Sequence, residues 1–440
     1  MKETVCLVNL GCPKNLVDSE VMGAELVEAG YEIIDDPGRA DVVVINTCGF
    51  IDAAKEESLD QIFSHVEHCP GRLVVSGCLA QRYPDELKED IPEIDGLVGV
   101  NDLGDIASVV RTVLAGRKAV RVSSSADALT VSDGSRRWRQ TPRHFGYVRI
   151  AQGCSRSCHF CAIPAIRGPY RSKDPALVLA EAESLVADGA KEVVLIAQDT
   201  TRYGIDFADD KGDLPTLLNR LSGVFSEVWF RLMYVHPAGI DDTLLEAIAG
   251  RDNICNYLDI PLQHMSPSVL RRMGRSEDPE KVRKILQHIR KRIPDISLRS
   301  AFIVGYPGET DEDFDLLLDF VRSCELDHVG VFAYSREEGT RAHSLSGQIP
   351  REKRQRRRNE LVSVARQRSR ELKERFVGRT LSVIVDGSED GNLLGRHQGQ
   401  APEVDGYVFL DKDPAIRIGE MIPVVITGAD SVDLWGQVRF

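Results

Sequence analysis

Three cysteines lie close together near the middle of the chain, directly after an apolar segment. Cys154, Cys158 and Cys161 follow the predicted strand Phe145–Ile150 with the spacing Cys-x3-Cys-x2-Cys, and we call them the central triad. Protein iron–sulfur clusters with four irons are usually held by four thiolates. Three thiolates would leave one iron open to a substrate or cofactor. A structural zinc site, with His159 or a distant residue as fourth ligand, is the alternative that this spacing leaves open.

Length, composition and charge narrow the class of protein. The 440 residues allow roughly two to four domains. No apolar run approaches the length that a membrane span needs, and the N-terminus does not resemble a signal peptide, so we expect a cytoplasmic protein with no membrane contact. Ten cysteines then favour metal or redox chemistry over disulfides. The net charge of −13 argues against a protein that coats nucleic acid along its length.

Residues 1–122 alternate apolar, strand-like runs with helical patterns. The predicted strands are Val5–Leu10, Val42–Asn46 and Leu73–Val75. The predicted helices are Ser19–Ala29, Ala53–His65 and Asp102–Leu114. Apolar strands separated by helix-length segments predict an N-terminal doubly wound parallel α/β domain. The polar stretch 123–143 is predicted to be a linker.

The same alternation restarts and continues from residue 144 to residue 350. Six strands are predicted, at Phe145–Ile150, Val193–Ala197, Val228–Tyr234, Tyr257–Ile260, Ser297–Val304 and Val329–Tyr334. Strand–helix units in this number predict a partial (β/α)6 barrel of the TIM type, whose active site lies at the C-terminal ends of the strands. The central triad follows the first of these strands.

The C-terminal part divides into a charged helix and a β-rich segment. Residues 351–375 hold eleven Lys or Arg against four Glu, which predicts either a solvated linker helix or a surface that touches RNA or the ribosome. Residues 376–440 are predicted to form a small antiparallel β-barrel. This segment has ten Asp or Glu and five Lys or Arg, so its charge suits a basic protein partner better than a nucleic acid.

A second set of cysteines is scattered in sequence but shares one position in the predicted fold. Cys12, Cys48 and Cys78, which we call the N-terminal triad, each follow the end of a predicted parallel strand. Because such strand ends meet at one edge of a sheet, the three thiols are predicted to hold a second cluster with an open iron. Each cysteine taken alone could instead be a buried structural residue.

With both triads in place, the chain resembles the methylthiotransferases of the radical S-adenosylmethionine (radical SAM) class along nearly its whole length. The Cys12–Asn15 and Val17–Glu20 segments are similar to those of the type that modifies a ribosomal protein, and Ala401–Gly406 resembles that type's TRAM domain, which has an OB-like barrel. The tRNA-modifying relatives typically carry a second cysteine and a Gln-Met-Asn run in the first loop. Lys173, where the family usually has Arg, and Gln400, where an acid is common, depart from the pattern.

Other segments carry the same resemblance. They are Asn46–Phe50, Ser76–Tyr83, Ile163–Pro164 with Arg167–Gly168, Tyr257–His264, Phe302–Gly308 and Tyr334–Thr340.

The resemblance implies two 4Fe-4S clusters and S-adenosylmethionine. One cluster would cleave this cofactor to a 5′-deoxyadenosyl radical, and the other would carry the methylthio group. The implied substrate is the β-carbon of an aspartate in the small-subunit ribosomal protein numbered twelve, free or in the ribosome, with an electron donor and a sulfur donor as further partners. Methylthiolation of a tRNA adenosine, and a non-catalytic iron–sulfur factor that binds RNA or the ribosome, remain as alternatives, although the acidic barrel and the Cys12 loop disfavour tRNA.

Five further residues are candidates for binding the cofactor or the substrate. By resemblance, Phe160 contacts the adenine, while Gln198 and Asp199 end a strand where they can reach the methionine part of the cofactor. Arg167 and Arg171 can pair with a carboxylate of the cofactor or of the target, because guanidinium binds carboxylates in bidentate fashion. No residue stands out as an acid–base catalyst.

Overall fold

The computed structural model describes residues 2–124, 136–209 and 211–439. Most of the predicted linker 123–143 therefore lies outside the described residues. None of the described helices combines the length and the apolar character that crossing a membrane requires.

The N-terminal region is a parallel sheet covered by helices on both faces. Its elements are β1 (Thr4–Asn9), α1 (Pro13–Glu28), β2 (Glu32–Ile33), β3 (Val42–Thr47), α2 (Asp52–His68), β4 (Arg72–Gly77), α3 (Cys78–Arg82), α4 (Pro84–Asp90), β5 (Gly96–Val98), α5 (Ile106–Leu114) and β6 (Ala119–Arg121). The strand order is β2-β1-β3-β4-β5-β6, and neighbouring strands are parallel. Helices α1 and α5 bury apolar residues on one face, and α2, α3 and α4 on the other. The doubly wound prediction is confirmed.

Helix α1 begins earlier than predicted. It starts at Pro13, directly after Cys12, whereas the apolar pattern placed its start at Ser19. Proline is favoured in the first turn of a helix, because its φ angle suits the helix and its missing N–H would have no partner there. Consequently Asp18 lies within the helix, where its side chain is fully buried.

The central region is an open arc of parallel strands. Its elements are β7 (Phe145–Arg149), β8 (Ala151–Gln152), α6 (Ile163–Arg167), β9 (Arg171–Ser172), α7 (Pro175–Ala187), β10 (Glu192–Ile196), α8 (Leu214–Val224), β11 (Trp229–Leu232), α9 (Asp242–Ala249), β12 (Tyr257–Asp259), α10 (Pro267–Arg272), α11 (Pro279–Arg292), β13 (Ser297–Val304), α12 (Asp311–Ser323) and β14 (His328–Ala333). The sheets β11-β10-β7 and β12-β13-β14 are joined by a parallel bridge between Phe230 and Ile254. Helices cover the outer face, so the partial barrel is confirmed.

The C-terminal region consists of α13 (Arg351–Lys373) and a closed barrel. The barrel strands are β15 (Thr380–Glu389), β16 (Asn392–His397), β17 (Val408–Asp411), β18 (Met421–Ala429) and β19 (Leu434–Val438). Their order is β15-β16-β17-β19-β18, and β17 pairs with β19 in parallel while the other ladders are antiparallel. The small barrel is confirmed, but it is not purely antiparallel.

Helix α13 is more than a solvated connector. Arg357 donates to the carboxylates of Glu309 (2.7 Å) and Asp311 (2.6 Å) in the central region. Arg358 donates to the carbonyl oxygen of Val331 (3.2 Å). The helix thus packs along β14 and α12, and several of its positive charges serve the fold.

The C-terminal barrel docks against the inner face of the arc. Arg396 of β16 and Arg231 of β11 both pair with Glu192 of β10, each at 2.6 Å. Ile384 of β15 packs in the same apolar cluster as Tyr147 of β7. Because a buried charge must be paired, these contacts fix the barrel against the strands.

Candidate active site

The loop that carries the central triad is fixed by a close backbone approach. Gly153 has a φ of +76°, and a Cβ atom there would lie 2.6 Å from the carbonyl oxygen of Gly168. The N–H of Cys154 donates to that same carbonyl oxygen (3.1 Å), and the N–H of Cys161 donates to the carbonyl oxygen of Cys158 (3.2 Å). The structure therefore brings the three thiols into one compact loop after β8.

The thiols of the central triad influence one another. Burial raises the pKa of Cys161 to about 12, and the neighbouring Cys158 and Cys154 add to the shift. Burial also raises the pKa of Cys154, with Asp199 and Cys158 contributing. A thiol must lose its proton to bind a metal, and a bound cation supplies the charge that favours this loss.

Charged side chains surround this loop. Asp199 accepts from Arg156 Nε (2.5 Å) and from the backbone N–H of Thr201 (3.1 Å). Arg275 Nη1 lies 3.9 Å from the sulfur of Cys158. Asp199, the predicted cofactor contact, is thus already paired with Arg156, and Arg275 is a neighbour of the triad that sequence reasoning missed.

Gln198 and Phe160 differ in their surroundings. Both side-chain amide atoms of Gln198 are buried, and neither has a hydrogen-bond partner among the described residues. Because an unpaired buried amide is costly, this side chain fits a site that receives a polar group. Phe160 is half-buried and packs against a cluster that includes Met273 and Tyr306. Its contact with adenine stays a prediction.

The N-terminal triad is assembled from three loops at one edge of the parallel sheet. Cys12 caps α1, Cys48 follows β3, and Cys78 begins α3, so the residues come after neighbouring strands. A Cβ atom at Gly11 would lie 2.9 Å from Cβ of Cys48, which shows how closely the first two loops approach. The structure brings these cysteines together as expected.

The thiols of the N-terminal triad have unequal acidity. Burial raises the pKa of Cys48 to about 12, with Cys78 and Cys12 contributing. Burial likewise raises the pKa of Cys78. Burial alone would also raise the pKa of Cys12, but the charges of Lys14 and Arg167 outweigh it, and the pKa falls below its ordinary value. A cationic environment of this kind suits thiolate ligands.

Arg167 lies at the end of α6 but reaches the N-terminal triad. Its Nη2 donates to Asn15 Oδ1 (2.7 Å), to Asp18 Oδ2 (2.8 Å) and to the sulfur of Cys78 (3.4 Å). Arg149 pairs with the other oxygen of Asp18. The carboxylate that Arg167 binds in the described structure is therefore that of Asp18.

Arg171 lies beside this group. Its Nη2 donates to the carbonyl oxygen of Arg167 (3.2 Å). Burial lowers the pKa of Arg171, and the charge of Arg149 adds to the shift. Its proposed pairing with a cofactor or target carboxylate stays a prediction.

The two triads meet at the interface between the N-terminal and central regions. Ala162, which follows Cys161, packs in one buried cluster with Cys78, Val100 and Ile166. The loops that carry the two triads therefore touch each other across this interface.

A buried carboxylate also joins the two regions. Glu337 accepts from Lys55 Nζ (2.9 Å) and from Arg82 Nη1 (2.7 Å), both in the N-terminal region. Arg82 also donates to the carbonyl oxygen of Gly49 (2.8 Å), the residue after Cys48. This contact holds the Cys48 loop against the central region.

Sequence reasoning missed the residues that join the two regions. Asn15, Asp18 and Glu337 all lie in segments with recognisable motifs, but no spacing rule pairs them with their partners. Arg167, for example, lies 149 positions from Asp18 along the chain. The motifs mark the segments that carry these residues, but only the structure shows which residues contact each other.

The donor atoms of both triads fit an iron–sulfur cluster, which proteins hold through cysteine thiolates. Within the described ranges, no three His, Cys, Asp or Glu side chains are grouped for a single metal ion. Each triad offers three thiols, which are the donor type that such clusters use.

Three family models match successive parts of the chain. The "Radical SAM superfamily" covers residues 148–321, the "Uncharacterized protein family UPF0004" covers residues 4–99, and the "TRAM domain" covers residues 377–438. The central region is therefore that of a radical SAM enzyme, a class that implies a 4Fe-4S cluster and S-adenosylmethionine.

The relatives narrow the class further. A protein of Symbiobacterium thermophilum is 45% identical over 98% of this chain and 90% of its own length, and one of Pelotomaculum thermopropionicum is 44% identical over 98% of each. Both are named "Ribosomal protein uS12 methylthiotransferase RimO". The chain belongs to this RimO family.

Solved structures agree with the fold. The radical S-adenosylmethionine methyltransferase TsrM from Kitasatospora setae has a TM-score of 0.57 at 18% identity, covering 95% of this chain and 84% of TsrM. At this identity the likeness concerns the fold alone.

Proposed function

We propose that this chain is a radical SAM methylthiotransferase that places a methylthio group on the β-carbon of an aspartate in ribosomal protein uS12. The names of the relatives support the substrate and the reaction. The observation that carries the proposal is the meeting of two three-cysteine sites at one interface, where Ala162 beside Cys161 packs with Cys78.

The two triads have different tasks in this proposal. The central triad holds the cluster that binds S-adenosylmethionine, and the N-terminal triad holds a second 4Fe-4S cluster. When bound, these groups supply a radical that removes hydrogen from the substrate and a sulfur that replaces it. The chain itself holds the two sites close together, so that a short-lived radical does not have to diffuse.

Near the central triad, Gln198 offers a donor and an acceptor to the cofactor. Both its amide atoms lack partners among the described residues. Asp199 and Phe160 lie beside the central triad, whereas Arg167 and its neighbour Arg171 lie towards the N-terminal triad. All four remain candidates for cofactor or substrate contact.

A protein substrate fits the charges better than tRNA does. Glu389, Asp390 and Asp411 of the C-terminal barrel are exposed and free to meet a basic protein. The cations of α13 are the strongest argument for RNA, yet Arg357 and Lys373 are buried. These two charges are unavailable to phosphates, and the exposed cations of the helix leave the RNA alternative to the tRNA assay.

The proposal extends to the setting of the reaction. Residues 1–122, 144–350 and 376–440 would act as the sulfur-carrying, radical-forming and substrate-binding domains, joined by the linker 123–143 and the helix 351–375. The reaction needs an electron donor and a sulfur donor, and a cytoplasmic location suits a ribosomal substrate.

Mass spectrometry after an anaerobic reaction tests the proposal. The protein is reconstituted with iron and sulfide and given S-adenosylmethionine, a reductant and a sulfur source, with uS12 and bulk tRNA in parallel tubes. We expect a methylthio mass gain on an aspartate of uS12. A gain on a tRNA adenosine would overturn the substrate, and cofactor cleavage with neither product would overturn both substrates.

Cysteine variants test the division of tasks. Replacing the central triad by alanine should abolish cleavage of S-adenosylmethionine, whereas replacing the N-terminal triad should spare cleavage and block sulfur insertion. Cys69→Ala, outside both triads, serves as the control. Unchanged iron content after loss of the N-terminal triad would refute the second cluster.

A further inference from the structure

We propose that Arg167, although it belongs to the radical-forming domain, is a positioning residue for the cluster of the N-terminal triad. Its guanidinium would donate hydrogen bonds to the sulfur atoms of that cluster and raise the reduction potential. This inference rests on the second cluster of the proposed function.

The contacts of Arg167 favour this role. The side chain is 1% exposed, and its Nη2 lies 3.4 Å from the sulfur of Cys78. Its other terminal nitrogen, Nη1, is buried and has no hydrogen-bond partner among the described residues. Because buried guanidinium N–H groups are normally paired, Nη1 is available to a group that the triad holds.

The neighbours of Arg167 hold its orientation. Asp18 and Asn15, both on α1, accept from Nη2 at 2.8 and 2.7 Å. Asp18 is in turn fixed by Arg149. Since two fixed acceptors hold Nη2 of this planar group, the guanidinium has little freedom to turn away from the thiols.

The position of Arg167 in the chain links the two sites. Helix α6, which ends at Arg167, begins two residues after Cys161. A shift of the central loop would therefore move Arg167 relative to the N-terminal triad. One short helix thus connects the radical-forming site with the sulfur-carrying site.

The expected electrostatic effect has a definite sign. Reduction adds negative charge to a cluster, and a nearby cation stabilises the reduced form. Hydrogen bonds to cluster sulfurs and net charge are also the factors that set such potentials. Loss of the Arg167 charge should therefore lower the potential of the N-terminal cluster.

The test uses protein whose central triad is replaced by alanine, so that the N-terminal cluster alone contributes. The midpoint potential is measured by a redox titration followed by electron paramagnetic resonance. Arg167→Gln should make reduction at least tenfold less favourable, a fall of about 59 mV for one electron. Arg167→Lys, which keeps the charge, should restore most of the potential.

Arg149→Gln is the matched control, because it also removes a buried cation that pairs with Asp18. Its potential should fall by less than that of Arg167→Gln. Equal falls in the two variants, or an unchanged potential in Arg167→Gln, would overturn the proposal.

A second measurement does not depend on the Gln variant folding. Arginine labelled with 15N in the guanidinium is incorporated, and pulsed electron paramagnetic resonance is recorded on the reduced cluster. We expect a 15N coupling that disappears in Arg167→Lys and remains in Arg149→Lys. The parent protein lacks the central triad and keeps Arg167. If it holds a cluster but gives no coupling, the role of Arg167 alone is refuted. If it holds no cluster, the second cluster of the proposed function is refuted as well.

Discussion

At the scale of single residues, Gly153 places the central triad. Its φ of +76° lies in the left-handed region, where a side chain is strained. A Cβ atom would also meet the carbonyl oxygens of Gly168 and Pro169. Only glycine therefore lets the chain turn from β8 into the cysteine loop.

Gly153→Ala is predicted to disturb both stability and cluster binding. The left-handed conformation costs alanine about 1–2 kcal/mol, and the overlap adds to this, so we expect a loss above about 2 kcal/mol. The measurements are denaturant unfolding of the apoprotein and iron content after reconstitution.

Gly116→Ala is the control for that variant. Gly116 has nearly the same φ, +75°, but a Cβ atom there would have no neighbour within 4 Å. This variant should lose only the conformational cost and keep its iron. Equal losses in the two variants would show that the close approach at Gly153 is unimportant.

The grouping of the cysteines into two triads could be predicted from the sequence, whereas their polar neighbours could not. The central triad has local spacing, and the N-terminal triad follows recognisable strand ends. Arg167 and Asp18 have no such signal, because their contact joins distant segments. The early start of α1, favoured by Pro13, also moved Asp18 from a predicted loop into a buried helix.

At the scale of elements, α13 shows how a charged helix can be structural. Arg357 is 2% exposed and pairs with Glu309, which is itself buried. Glu309 also accepts the backbone N–H of Tyr306 (3.0 Å). The composition of the helix suggests a solvated surface, but the buried Arg357 fixes the helix to the central region.

Arg357→Ala should destabilise the protein strongly. Removing one partner of a buried ion pair leaves the other charge uncompensated, which costs about 3–5 kcal/mol. The neighbouring Arg356 is exposed, so Arg356→Ala should change stability by less than about 0.5 kcal/mol. Denaturant unfolding measures both variants, and similar losses would contradict a structural role for Arg357.

The C-terminal barrel contains a strand and a strand pairing that the sequence pattern does not predict. Strand β16 has no strand signal in the sequence, because Asn392–His397 lacks regular alternation and contains Gly395. A Cβ atom at Gly395 would lie 2.8 Å from the carbonyl oxygen of Ile384, so the glycine permits close strand pairing. The parallel pairing of β17 with β19 depends on barrel closure, which no local pattern encodes.

At the scale of the whole molecule, buried polar contacts join the three regions. Tyr147 and Tyr257 of the central strands donate to Glu403 (2.7 Å) and Asp405 (2.8 Å) of the C-terminal barrel. Part of the acidic charge that suggested a basic partner is thus used within the chain. The exposed acids, such as Asp411, remain for a partner.

The Glu337 contact leads to a prediction about the coupling of the two sites. Its carboxylate is 2% exposed and accepts from Lys55 and Arg82, so it holds the Cys48 loop against the central region. Glu337→Gln removes the negative charge and weakens both pairings. Because the central triad is untouched, S-adenosylmethionine should still be cleaved. Under the proposed division of tasks, however, a displaced N-terminal triad should deliver its sulfur to fewer substrate radicals. We expect the yield of methylthiolated protein per 5′-deoxyadenosine to fall about tenfold or more.

Glu338→Gln separates this effect from a general loss of charge. Glu338 is exposed, and it contacts Arg82 through its backbone carbonyl oxygen (2.6 Å), which the substitution keeps. The ratio of product to 5′-deoxyadenosine should therefore match that of the parent protein. If Glu337→Gln lowers cleavage and product in parallel, the contact serves stability alone. A fall in the ratio at constant cleavage means that the placement of the N-terminal region, and not radical formation, limits sulfur insertion.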